Sequence, residues 1–299
     1  MGSAHYVLWA SLVRYIINQT TALVVCMGLL TSIAYADIAA RMDVAGRQAM
    51  LSMRMAMSLC LVQAGANENY QYAAQQAIQV FDKSLHALLH GEAYGISAPE
   101  RHRPVLTAIN RVTEMWFQLG PDYWDMSVNQ ASSEIISEMI DENILLMQVS
   151  DAVAFEVSAV YALKHAAPGT LPLLVELNAA RTLSQKAVKE ACFATQGFRA
   201  DEMLASLGMS LQQMDAKLAD LAQAAVANTM SMNKKAAIAQ SIEEMSGIWA
   251  VLRSELQRIH ETGAASKAQL DTLGRNASQF LGVADMVTQH YAPILVKDE

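Results

Sequence analysis

The chain has 299 residues, 53% of them hydrophobic, with only 14 Gly and 6 Pro and a formal charge of -8. That length suffices for two domains of ordinary size, and the abundance of Ala, Met and Leu favours long helices over sheets. An acidic chain without a basic stripe has nothing to neutralise phosphates, which excludes nucleic acid as a partner class.

In chain order, the N-terminus comes first. Arg14 is the only Lys, Arg, Asp or Glu before Asp37, and an apolar run over 21–33 ends in Ala34-Tyr35-Ala36. This is the pattern of a secretory signal peptide over residues 1–36, cleaved after a small-x-small site. The apolar core falls short of the ~20 residues of a membrane span, so an uncleaved anchor is the weaker alternative. Either reading puts the rest of the chain in the periplasm. No second stretch reads as a span.

Helical patterning then runs over 38–62, 70–89, 99–119 and 128–164. Turn chemistry separates these stretches at Gly65-Ala66-Asn67, around Gly91 and Gly95, and at Gly120-Pro121-Asp122. Ser97-Ala98-Pro99-Glu100 has the form of a helix start, with Pro99 in the first turn. The strongest break is Pro168-Gly169-Thr170-Leu171-Pro172. After it, four more stretches cover 173–195, 200–227, 233–260 and 265–291. Ile136, Met139, Ile140, Ile144 and Met147 form an apolar stripe at helical spacing, as do Met203, Leu207, Leu211, Met214, Leu218 and Leu221. Long helices joined by short loops imply antiparallel neighbours.

The two sets of four repeat one another at an offset near 133 residues. Leu51-Ser52 recurs as Leu183-Ser184, Cys60 as Cys192, Gly65 as Gly197, Asp82 as Asp215, Trp116 as Trp249, Asn143 as Asn276 and Asp151 as Asp285. The fold expected is all-α: two tandem antiparallel four-helix bundles related by an internal repeat, the first over 37–167 and the second over 168–299.

One segment goes beyond helix pattern: Ala45-Gly46-Arg47-Gln48-Ala49-Met50-Leu51-Ser52-Met53-Arg54-Met55-Ala56. It resembles the motif that opens the PilJ-type family, the N-terminal domain of type IV pilus methyl-accepting chemotaxis transducers. It departs at Ala49, where the family carries Arg, and at Met53, where it carries Gln. Asn178 to Lys186 resembles a weaker copy that keeps Arg181, Leu183, Ser184 and Gln185. The family is related to the periplasmic sensor domain of NarX-type nitrate/nitrite kinases, in which a helix-1 arginine holds the anion where two subunits' first helices meet. The resemblance implies a sensory domain whose corresponding positions are Ala49 and Arg181.

Arg47, Gln48, Ser52, Arg54, Arg181, Ser184, Gln185 and Lys186 are therefore the candidate ligand residues, for a small anion or polar metabolite held between the first helices of the two repeats. Guanidinium groups suit oxyanions through paired donors, and the serines offer hydroxyls. The competing reading is a set of helix-surface ion pairs, with Asp43 four residues before Arg47. If the first helices pack as two subunits do in the related kinases, Cys60 and Cys192 approach each other; the choices are a disulfide or two buried thiols. The Met50, Met53, Met55 and Met57 series and the two tryptophans read as core.

No catalytic set, metal-ligand spacing or cofactor motif stands out. The resulting expectation is a non-enzymatic exported sensor whose partners are a small ligand and a separate membrane sensor or pilus-associated protein. The rival is an interaction module, an adaptor without a small ligand.

Overall fold

The computed structural model describes residues 37–162, 170–227 and 232–291; the expected signal peptide lies outside them. These residues form eight α-helices. We number them α1 (37–63), α2 (Asn69–His90), α3 (Arg103–Val128), α4 (Ser133–Val157), α5 (Thr170–Thr195), α6 (Ala200–Ala227), α7 (Met232–Thr262) and α8 (Lys267–Tyr291). A five-residue π-helical turn, Ser158–Ala162, continues α4.

Each set of four packs its apolar stripes inward. In α2, Ala74, Ile78, Phe81 and Leu85 are buried, and in α3, Val105, Ile109, Val112 and Trp116 face them. The second set does the same with Met203, Leu207, Leu211 and Met214 of α6. The two cores run into one another as a single apolar cluster, because α1 and α5 are buried on nearly every side.

The repeat is visible bond by bond. Trp116 Nε1 donates to Asp82 Oδ1 at 3.1 Å, and Trp249 Nε1 donates to Asp215 Oδ1 at 2.8 Å, each across 34 residues. Both first helices end in the same cap. The Gly65 and Gly197 amides donate to Val62 and Ala194, and the next amides reach back to Leu61 and Phe193. Both glycines take a positive φ, of 65° and 80°, which a side chain would strain.

Two boundaries depart from the sequence reading. Gly120-Pro121 does not end a helix: α3 runs through Pro121 to Val128. Proline at that position costs about 3 kcal/mol, but the turns beyond it bury Tyr123 and Met126, and Asn143 Nδ2 donates to the Tyr123 hydroxyl at 3.1 Å. Packing of two large side chains offsets the missing amide. Nor does a helix start at Pro99. Glu100 is buried beneath Arg41 and accepts from Tyr161 and from the Arg101 and His102 amides, which holds the chain in a loop. The helix starts instead at Arg103, with Pro104 in its first turn.

Ser133–Tyr161 is long and apolar enough to cross a membrane, by length and composition, its most apolar 18-residue stretch having a mean hydropathy of 1.4. That differs from the sequence reading, in which no second stretch qualified. One face of it, including Ile136, Ile140, Asn143 and Val153, packs into the first bundle's core.

Candidate functional site at the seam of the first helices

Helices α1 and α5 lie side by side, parallel and in register. The structure joins Cys60 to Cys192, with Cα atoms 6.2 Å apart, across a separation of 132 residues. At the other end, Gly46 faces Asn178, the same offset away, and a Cβ on Gly46 would overlap the Asn178 side chain. Between these points, positions seven apart share one stripe, so Met53 and Gln185 fall on the seam. Both are fully buried. The repeats thus meet about an approximate two-fold axis, equivalent residue against equivalent residue.

Arg181 sits on this seam, fully buried. Its donors are taken by the protein itself: Asp285 Oδ1 at 2.6 Å, Thr288 Oγ1 at 2.6 Å, Asn178 Oδ1 at 3.1 Å, Asp43 Oδ1 at 3.2 Å and the Ala284 carbonyl at 3.2 Å. Only its Nε is without a partner. Burial pulls the guanidinium below its ordinary range, and Asp43 and Asp285 oppose that pull. Arg47 joins the same network through Asp43 at 2.8 Å and Asp285 at 3.5 Å. Burial works against its charge too, but there the two carboxylates win and its pKa rises.

The other candidate residues are dispersed. Gln48 donates to Ser84 Oγ at 2.6 Å. Ser52 and Ser184 are buried and donate to carbonyls of their own helices, Ala49 and Arg181. Gln185 donates to the Ala277 carbonyl at 3.1 Å. Lys186 donates to Glu190 of its own helix and to Ser206 and Ser210 across the α5–α6 interface. Arg54 has no ion-pair partner among the described residues; burial lowers its pKa, opposed only by Asp285.

A cavity of about 540 Å³ opens beside the seam, between α1, α4, α5 and α6. Its wall is mainly apolar, with Met42 from α1, Met147 and Phe155 from α4, and Leu174 and Leu183 from α5. Asn178, Thr182, Lys186, Lys217 and Asp151 supply polar atoms. Lys217 is paired with Glu176 at 2.8 Å. That volume suits a small organic molecule. Among the described residues, no group of His, Cys, Asp or Glu that could hold a metal comes together.

Residues 37–138 match the model of the type IV pili methyl-accepting chemotaxis transducer N-terminal family, PilJ. The first bundle carries a PilJ region. No curated protein and no solved structure matches the chain. The PilJ match spans α1, α2, α3 and the start of α4, and holds the Ala45–Ala56 motif inside α1. The second bundle lies outside it, so the bonds it shares with the PilJ region, Trp to Asp and cap to cap, carry the equivalence of the two halves.

Sequence reasoning passed over several residues of this site. Asp43 entered only as a surface partner of Arg47, whereas it also reaches Arg181. Asp151 and Asp285 stood in the repeat pattern but not among the ligand residues, although matched acids in two copies of a site are a signal of their own. Lys189 gave no signal: it is fully buried in α5, and its Nζ reaches Asn143 Oδ1 of α4 at 3.2 Å.

Proposed function

We propose that this protein is an exported, non-enzymatic sensor that binds a small molecule between the first helices of its two repeats. It passes the outcome to a separate membrane partner. The observation that carries this reading is the cavity beside the seam, which takes Met42 and Gly46 from α1 and Leu174, Asn178 and Thr182 from α5. A ligand there touches both halves at once, so its binding free energy can favour one arrangement of α1 against α5 over another. The likeness of residues 37–138 to the N-terminal domain of chemotaxis transducers supports signalling over catalysis and a periplasmic setting.

A small anion at Arg181 would have to displace Asp43 and Asp285. The cavity is therefore the better seat, with Asn178 and Thr182 on its wall for a polar end of the ligand. Thermal unfolding of the exported protein against a panel of anions, amines and small metabolites, nitrate and nitrite included, tests this. A ligand bound only by the folded state raises the midpoint with concentration. Ala179→Phe, which fills the cavity, should abolish such a shift while the protein stays folded.

An interaction module is the second reading. Phe117 of α3 and Tyr72 of α2 are 83% and 70% exposed, aromatic side chains that a partner protein would cover. A well-folded protein that shifts with no compound on the panel would favour it.

A further inference from the structure

The two sides of the seam are copies of one groove, and they have been finished differently. On one side lies a small pocket of about 190 Å³, lined by Asp43, Arg47, Leu51, Val80 and Ser84. Shifted by the repeat offset, these residues become Val175, Ala179, Leu183, Gln213 and Lys217, all of which line the 540 Å³ cavity on the other side. The same space is a small pocket in one copy and a wide cavity in the other.

The difference centres on one aspartate. Asp285 of α8 pairs with two arginines, Arg181 of its own repeat and Arg47 of the other. Its counterpart is Asp151 of α4, which lines the cavity. The counterparts of the two arginines are Ala49 and Ala179. Asp151 has therefore lost both of its cations, and no described residue replaces them. Asp151 is exposed as a residue, and the partial burial of its carboxyl at the cavity wall pushes its pKa up to about 6. The two lysines of the cavity do not fill the role, because Lys186 is held by Glu190 and Lys217 by Glu176.

We infer that the cavity receives a small organic cation, an ammonium or guanidinium on an apolar body, with the charged group on Asp151 where the missing arginines would stand. The apolar body lies along Met147, Phe155, Leu174 and Leu183. This rests on the reading of the cavity as the ligand site and adds the sign of charge that the site selects. In the copied groove Arg47 shows the arrangement: an aliphatic stem laid in the groove and a guanidinium on the aspartate.

Calorimetric titration of the full exported chain tests it with four matched probes: benzylamine, benzylguanidine, benzyl alcohol and benzoate. The two cations should bind saturably, and the alcohol and carboxylate about tenfold more weakly or worse. Asp151→Asn should remove the advantage of the cations. Ala179→Arg, which restores a protein guanidinium at the equivalent place, should abolish binding of the amine in a protein that melts at least as high. Benzoate binding as well as benzylamine, or Asp151→Asn binding benzylamine undiminished, overturns the inference. If those probes are still blocked by Ala179→Arg, the cavity remains the ligand site and only its charge preference falls. No binding by any probe at millimolar concentration overturns both.

Discussion

At the scale of single residues, the seam is a study in buried charge. Arg181 is fully buried and tolerated because two carboxylates and three further acceptors surround it. Asp151 and Lys189 have no such company, and both titrate abnormally. The Asp151 carboxyl rises from 3.8 to about 6 through burial, so its charged form is disfavoured by folding. That penalty is absent below about pH 4, where folded and unfolded chains both hold the proton, and complete above about pH 6. Asp151→Asn should raise stability at neutral pH by about 1 kcal/mol, discounted for the solvent at the carboxyl's edge, and by nothing at about pH 4. Melting curves at the two pH values check this.

Lys189 shifts the other way, down to about 8, because burial disfavours its ammonium and only Asn143 accepts from it among the described residues. The repeat places Met57 at the equivalent position. Lys189→Met should stabilise the protein by about 1–3 kcal/mol at neutral pH. The gain should shrink as pH rises through about 8 and vanish above the ordinary lysine value of 10.5. Denaturant titrations across that range would show a flat gain if the assignment is wrong.

At the scale of elements, α1 and α5 approach closely because small residues line the stripe between them. Ala45, Gly46, Ala49 and Ala56 leave room for the partner helix. Gly46→Ala should cost about 1–3 kcal/mol by forcing Asn178 aside, and Asn178→Ala in the same chain should recover most of it. A double-mutant cycle measured by thermal melts reads this coupling directly.

The helices themselves were legible in the sequence, since apolar residues three and four apart dictate which face is buried. The boundaries around α3 were not. Gly120-Pro121 carries a strong local stop signal, but the deciding contact is Tyr123 with Asn143, which lies in the next helix. The Pro99 start failed for the same kind of reason: Glu100 is captured by Arg41, 59 residues away. The motif in α1 was legible as a candidate site by resemblance. Which of its side chains bond inward was not, because Gln48 finds Ser84 and Arg47 finds Asp285 through tertiary packing alone.

At the scale of the whole molecule, duplication has put both halves of a two-fold seam into one chain. Each half is then free to change alone. One groove has gained a locked network of Arg47, Arg181, Asp43 and Asp285, while the other has lost both arginines and opened into a cavity. The disulfide fixes the register on which this depends. By the loop-closure argument, a bridge spanning 132 residues contributes about 4–5 kcal/mol, so reduction should lower stability by that order. Chemical denaturation with and without reductant measures it.

The arrangement rests on α1 and α5 being paired in parallel, equivalent residue to equivalent residue. Peptide mapping of the protein, alkylated and digested without reductant, tests that pairing most directly. One linked pair is expected, joining the Cys60 peptide to the Cys192 peptide within a single chain and separating on reduction. Both cysteines alkylated as free thiols, or a linkage only between two different chains, would contradict it.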